Sequence, residues 1–337
     1  METIIRPDGY DSTLSDKWIN LAEERLTTKI ISVTDDFFAE VENLIRPGRG
    51  IFIEDKYTEF GKWMDGWESR RKRTQGHDHC ILRLGLPGII KGFDIDTNFF
   101  TGNHPNSVSI EACRMENDED PNLESDWTEI LTDTKMNPGA QHLVEISNKE
   151  VWTHLKFHIY PDGGVARLRV YGEVKKNWSL IQPNQIIDLA AVENEGKALV
   201  CSDMYFSHKD NINAPGRGIN MGDGWETKRR RGPGHDWLLL SLGKKGIIKE
   251  LEIDTAHFKG NFPDSCSVDG LTCMDGEIDL KDQNNNWTSI LNKEKLCADH
   301  IHHFKELLSN GPYTHIRLNM FPDGGISRFR VWGNIDE

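Results

Sequence analysis

Apolar and polar residues along the chain alternate with period two far more often than with period 3.6. Ile247-Ile-Lys-Glu-Leu-Glu-Ile-Asp254 moves from an apolar pair into strict alternation, and Lys156-Phe-His-Ile-Tyr160 and Arg167-Leu-Arg-Val-Tyr171 alternate on either side of Pro161-Asp-Gly-Gly164. Alternation of this kind marks half-buried strands, and a Pro-Asp-Gly-Gly turn between two such runs predicts a hairpin. The same arrangement recurs as His315–Met320, then Phe321-Pro-Asp-Gly-Gly325, then Arg328–Trp332. Helical periodicity is thin: Asp16–Leu26 and His303–Leu308 are the best short candidates.

The recurrence extends over the whole chain. Asn20-Leu-Ala matches Asp188-Leu-Ala and Pro47-Gly-Arg-Gly50 matches Pro215-Gly-Arg-Gly218, both at an offset of 168. Asp65-Gly-Trp-Glu68 matches Asp223-Gly-Trp-Glu226 at 158, so the first copy carries a ten-residue insertion between Gly50 and Asp65. His154–Gly172 matches His315–Gly333 at 161. A repeat of this length is a domain in each copy rather than a solenoid unit. The expected division is residues 1–178 and 179–337, with the linker at Asn177-Trp-Ser-Leu-Ile-Gln-Pro-Asn184. Each copy reads as an all-β domain, a sandwich with Greek-key connections.

Composition then narrows the chemistry. The 337 residues carry 54 Asp plus Glu against 40 Lys plus Arg, a formal net charge of -14. That field disfavours nucleic acid and anionic membrane surfaces as partners. An anionic ligand has to be held by a local basic cluster. No apolar run reaches the ~18 residues of a membrane span, and Met1–Thr13 lacks the basic-then-apolar pattern of a leader, so an intracellular, cytoplasmic protein is expected. Six cysteines occur, none in CxxC spacing, and no cysteine position is shared between copies. They read as reduced, small apolar residues.

The basic cluster is Asp65-Gly-Trp-Glu-Ser-Arg-Arg-Lys-Arg-Thr-Gln-Gly-His-Asp78, matched by Asp223-Gly-Trp-Glu-Thr-Lys-Arg-Arg-Arg-Gly-Pro-Gly-His-Asp236; nine of the fourteen positions are identical. In an extended stretch Arg71 and Arg73, like Arg229 and Arg231, point the same way and could grip a carboxylate by bidentate hydrogen bonds. Glu68, His77 and Asp78, with Glu226, His235 and Asp236, could move protons or accept amide N–H groups. Structural ion pairs required by the repeat would leave the same match between copies, and an Arg triplet also suits a solvated loop. Arg167 and Arg328, just beyond the turns, and Arg49 and Arg217, on loops, have both structural and ligand readings. The shared histidines, His142 with His303 and His154 with His315, read as satisfied rim residues. Cys297-Ala-Asp-His-Ile-His-His303 looks metal-like, but the first copy lacks most of those ligands and zinc spacing is not met. No cofactor is identified; a divalent metal is possible without being indicated.

The motif resembles one known family, the allantoicases, the allantoate amidinohydrolases of purine breakdown. The resemblance is carried by Gly222–Trp237 and Gly61–Arg73, by Ile253-Asp-Thr-Ala-His-Phe-Lys-Gly-Asn-Phe-Pro263 and Ile95-Asp-Thr-Asn-Phe-Phe-Thr-Gly-Asn-His-Pro105, and by both Pro-Asp-Gly-Gly-x-x-Arg segments. It departs at His79, where the second copy has Trp237 and the family usually has Trp. The resemblance implies two tandem jelly-roll sandwiches of the galactose-binding, discoidin-like type. It also implies hydrolysis of allantoate to ureidoglycolate and urea, and a homo-oligomer. On that substrate, Arg71 and Arg73 or Arg229 and Arg231 would bind the carboxylate and Glu68 or Glu226 would accept ureido N–H groups. His77 with Asp78, or His235 with Asp236, would move protons. One site per copy, one shared site and one degenerate copy all stay open. The alternative from another class is a tandem discoidin-like ligand-binding module without catalysis.

Overall fold

The structure, a computed structural model, describes residues 3–116, 119–273 and 286–336. It divides into two compact units, the first ending at Lys175 and the second starting at Lys176. Among the described residues the helical elements are short 3₁₀ turns such as Glu24–Leu26 and Lys209–Asn213. Neither short helical candidate forms a helix: Asp16–Leu26 holds turns, the strand Ile19–Asn20 and one 3₁₀ turn, and residues 303–304 close the strand Ile301–Phe304. Their apolar residues are too few for the cooperative helix nucleus to be offset by packing.

The first unit is organised by one 19-residue strand, Asp78–Asp96. Its first part pairs on one side with Val151–Tyr160 and on the other with Lys29–Val33. Beyond these lie Ser107–Cys113 and then Thr128–Lys135. Its last part pairs with Arg167–Val174 and with Gln141–Glu145. The strand therefore serves both layers of a sandwich, and it bends between them around residues 84–88. Gly85 makes the bend possible: a Cβ there would stand 2.4 Å from the Leu26 carbonyl oxygen. The core lies between the layers, with Phe93, Ile95, Leu168 and Val170 of one facing Leu82, Ile110, Leu155 and Phe157 of the other, all fully buried. Burying such side chains contributes ~1.5–3 kcal/mol each.

The second unit repeats this plan. Asp236–Asp254 pairs with Tyr313–Phe321 and Lys197–Cys201 at one end, and with Arg328–Ile335 and Ile301–Phe304 at the other. Gly243 marks its bend, where a Cβ would overlap the Asn194 carbonyl oxygen.

The hairpin expected around Pro161-Asp-Gly-Gly164 does not form. Val151–Tyr160 and Arg167–Val174 flank the long strand instead of pairing with each other. The turn carries the chain from one layer to the other at the point where both ends of the long strand meet it. The Asp78 amide donates to Pro161 O at 3.1 Å, and the Ala166 amide donates to Asp96 O at 2.7 Å. Between them Gly164–Val165 pairs with Trp67–Glu68. The second copy does the same, Gly325–Ile326 against Trp225–Glu226.

The two arginines beyond the turns are structural. Arg167 donates to Asp65 Oδ2 at 2.8 Å and to the Asp65, Ala166 and Gly48 carbonyls. Arg328, 2% exposed, makes the same set with Asp223, Ser327 and Gly216. Arg49 and Arg217 pair with Asp96 and Asp254, each at 2.9 Å. Cys80, Cys113 and Cys266 are buried thiols.

Breaking a buried ion pair leaves an uncompensated charge, at a cost of ~3–5 kcal/mol. Arg328→Met is therefore expected to lower the stability of the second unit by about that amount, read as a loss of midpoint in urea unfolding; an unchanged midpoint contradicts the clamp.

Candidate active site

The basic motif enters as Trp67–Glu68, runs through a loop, and ends in the long strand. Trp67 is fully buried and its indole donates to Asp35 O at 2.8 Å. Asp162 of the turn accepts the Lys72 amide at 2.7 Å, and Asp323 accepts the Arg230 amide at 2.8 Å. This contact fixes which way the basic residues face. Lys72 turns inward and its ammonium meets Asp78 Oδ1; Arg230 meets Asp236 Oδ1 at 2.5 Å. Arg71 and Arg73, and Arg229 and Arg231, are exposed and, among the described residues, without an ion pair. The alternation holds, but the inward position falls on the residue between each arginine pair.

Asp78 and Asp236 are each 1% exposed and act as buried counter-ions. Asp78 Oδ1 also accepts from the Thr34 hydroxyl at 2.8 Å, and Asp236 Oδ1 from Ser202 at 2.9 Å. Neither bonds to the histidine before it. Adjacent residues at a strand start point to opposite faces, so the expected His77–Asp78 and His235–Asp236 proton couples do not form.

His77 instead belongs to a polar network on the face of Val151–Tyr160 that points away from the core. His77 Nε2 lies 2.8 Å from His158 Nδ1, and His158 Nε2 lies 2.9 Å from Glu111 Oε2. Glu111 is held in turn by Lys156 at 2.7 Å. The Lys156 ammonium sits over Trp127, 4.4 Å from the ring centre, and Tyr160 packs against His77 at 4.5 Å. A carboxylate only accepts, so His158 carries its proton on Nε2 and presents a bare Nδ1, to which His77 Nε2–H donates. Burial, then the Lys72 charge, holds His77 below the usual imidazole value. Burial also lowers His158, against Glu111, and with the neighbouring imidazoles pushes His79 down to about 4. Burial alone would raise Glu111, but its bonds from Lys156 and His158 outweigh it and keep it below the ordinary carboxylate value.

The second copy keeps the layout and changes the groups. His235 Nε2 donates to Asn319 Oδ1 at 3.2 Å, and Asn319 Nδ2 donates to Asp269 at 2.8 Å. Arg317 pairs with Asp269 at 2.9 Å and Phe321 packs on His235 at 4.5 Å.

Glu68 lies elsewhere on the motif, in a pocket of about 580 Å³ lined by Phe38, Phe52, Phe60, Lys62, Phe99 and Thr101 among others. Its Oε1 accepts from Asn103 Nδ2 at 2.6 Å. Burial raises the carboxyl above its usual value, and the Asn103 bond only partly opposes this. Neither His77, Asp78, Arg71 nor Arg73 lines this pocket. Lys62 does, its ammonium 4.5 Å from the Phe52 ring centre, and among the described residues it has no carboxylate partner. Phe52, Phe60 and Lys62 all come from the stretch that contains the insertion of the first copy. Glu226 likewise accepts from Asn261, and a cleft of the second unit lies elsewhere.

That cleft, of similar volume, is lined by Asp188, Arg217, Glu252, Asp254, Arg330 and Trp332 among others. Two ion pairs lie within it, Arg330 with Asp188 at 3.5 Å and Arg217 with Asp254 at 2.9 Å, and Glu252 accepts from the Trp332 indole at 3.1 Å. Burial pushes Asp188 up to about 6.

Of the other histidines, His142 and His302 are the true pair, correcting the match to His303. Each ring bridges two backbone groups, His142 between Asn137 N and Ile95 O, His302 between Cys297 N and Ile253 O. That occupies His302 and leaves no metal cage in Cys297–His303. His154 and His315 are buried rim residues bonded to Thr153 and Thr314. His158, Glu111, Lys156, Asn103 and Lys62 were not singled out from sequence. Asn103 and Asn261 stood in matching Thr-x-x-Phe-x-Gly-Asn segments, and His158 stood on the polar face of an alternating strand.

Two β-sandwiches, each with a carboxylate–amide pair and a histidine network at the interlayer turn, define a tandem-repeat protein of two like domains. Comparison with known proteins narrows this. The family model "Allantoicase repeat" matches residues 19–175 and 187–336. A probable allantoicase of Pseudomonas fluorescens is 52% identical over 322 residues, covering 95% of this chain and 97% of that protein. One of Photobacterium profundum is 51% identical, covering 94% and 97%. The crystal structure of allantoicase from Saccharomyces cerevisiae superposes with a TM-score of 0.80 at 38% identity, covering 96% and 95% of the two chains. The chain belongs to the allantoicase family.

Lys72→Met leaves the Asp78 carboxylate buried without its cation and is expected to cost about 1–3 kcal/mol in urea unfolding. Arg71→Ala and Arg73→Ala are expected to stay within about 0.5 kcal/mol of wild type. Equal losses from all three would refute the inward and outward assignment.

Proposed function

We propose that this chain hydrolyses allantoate to ureidoglycolate and urea, and that the Glu68 pocket of the first repeat is where it does so. The observation that carries the site is a half-buried glutamic acid with a raised carboxyl pKa, oriented by an amide, in a pocket that also holds a cation. Allantoate carries a carboxylate and two ureido groups on one carbon. Lys62 is the cation for the carboxylate. Phe52, Phe60 and Phe99 line the pocket beside it.

Asn103 occupies Glu68 Oε1, leaving Oε2 to carry the acid proton. Glu68 donates that proton to the nitrogen of the leaving ureido group. The C–N bond breaks as the lone pair of the remaining ureido nitrogen forms a C=N bond, and urea departs. Water adds to that carbon, its electrons return to nitrogen, and its spare proton returns to Glu68. One water is consumed and the enzyme is regenerated. A carboxyl raised toward the operating pH suits this exchange, because it must both give and take a proton. Arg71 and Arg73, and Arg229 and Arg231, are available at the surface to draw in an anion against the net negative charge. The family resemblance extends the proposal to a cytoplasmic homo-oligomer. A binding module without catalysis gains nothing from an acid whose carboxyl is raised by burial.

Glu68→Gln is expected to lower kcat for urea release by ~10²–10⁴-fold. The same change should raise the melting temperature. A carboxyl raised by burial favours folding below its unfolded pKa and loses that contribution as pH rises through the folded value. The gain in the Gln variant should therefore be absent near pH 4 and grow above the ordinary glutamate value. Wild-type urea release by Glu68→Gln, with activity lost instead in His77→Ala, would move the chemistry to the histidine network.

A further inference from the structure

His77, His79 and His158 offer ring nitrogens that all lie within 4.8 Å of one another. The strand geometry makes the cluster. His77 and His79 are two residues apart and so share a face, and His158 is the cross-strand partner of His79. We propose that these three imidazoles form a binding site, in the first repeat only, for a divalent cation of the zinc class.

Three features of the cluster favour a metal over a chance grouping. First, His158 is already posed as a ligand: Glu111 holds its Nε2 at 2.9 Å and leaves Nδ1 bare toward His77 Nε2 at 2.8 Å. A carboxylate behind a ligating imidazole is the usual device for fixing its tautomer and ring direction. Second, the two cations whose charges act on these imidazoles are each paired, Lys72 with Asp78 and Lys156 with Glu111, which lessens their opposition to the ion. Third, the nitrogens need little movement. With bonds of ~2.0–2.1 Å, two nitrogens of a tetrahedral zinc lie about 3.4 Å apart. His77 and His158, 2.8 Å apart, must separate slightly, and the His79 nitrogen already lies within 4.8 Å of both. His158 is buried while His77 and His79 are half-exposed, which leaves a route for the ion and an open coordination position. Imidazole nitrogens select zinc-class ions over magnesium or calcium, which take oxygen ligands.

The second repeat is an internal control. At the matching positions it has His235, Trp237 and Asn319, which supply a single imidazole. The same strand layout forms there around Trp237 and Asn319, so His79→Trp and His158→Asn place residues that the matching strands of the second repeat already carry.

The test is titration of the metal-free, full-length protein with Zn²⁺ by calorimetry and with Co²⁺ by visible absorption. Wild type is expected to take one equivalent and give a cobalt ligand-field band; the His79→Trp/His158→Asn double variant is expected to lose both. Glu111→Ala is expected to weaken binding by ~10–100-fold. Circular dichroism checks folding, and His77→Gln supplies an independent ligand loss. No Co²⁺ band in wild type, or a band unchanged in a folded variant lacking these rings, would overturn the proposal. The readout is metal binding, so it is decided separately from the role of Glu68.

Discussion

The structure depends on one strand being used twice. Asp78–Asp96 belongs to both layers of the first sandwich, and Asp236–Asp254 to both layers of the second. A strand that bends from one layer into the other brings its two ends to the same turn. That turn, Pro161-Asp-Gly-Gly164 or Pro322-Asp-Gly-Gly325, then receives hydrogen bonds from both ends and pins the basic loop through its aspartate. The buried Arg167–Asp65 and Arg328–Asp223 clamps close the same corner. Every candidate chemical group of the motif hangs from this corner, so its geometry follows from the strand rather than from the loop's own preferences.

The polar network and the pocket show how a duplicated scaffold can diverge. The backbone of the corner is the same in both copies, and so are the buried counter-ions. What differs is what stands on the exposed side of the same strands: His79, His158 and Tyr160 in one copy, Trp237, Asn319 and Phe321 in the other. The stretch between Gly50 and Asp65, which carries the ten-residue insertion, contributes Phe52, Phe60 and Lys62 around Glu68. The repeat supplies rigidity twice and, on this reading, a furnished active pocket once.

The repeat itself, its strands and its core were legible in the sequence because period-two alternation and the internal match are both local signals. Strand partnership was not. Alternating runs on either side of a turn fit a hairpin and also fit two strands flanking a third, and only the length of Asp78–Asp96 decides between them. For the site, comparing the copies found Glu68, His77 and Asp78 because they are shared. The same filter hid His158, Lys62 and Glu111, which differ between copies and carry much of what is particular to the first. Adjacency in sequence misled at His77–Asp78, since neighbours in a strand face apart. The arginines were more conspicuous than Lys72, yet the Asp162 contact turns the lysine inward.

The most direct measurement is a crystal structure of the Glu68→Gln variant soaked with allantoate. The account predicts one ligand per chain in the first repeat, its carboxylate on Lys62 and a ureido group beside Asn103 and residue 68. Allantoate bound at the His77–His158 network, or in the second repeat with the Glu68 pocket empty, would contradict it.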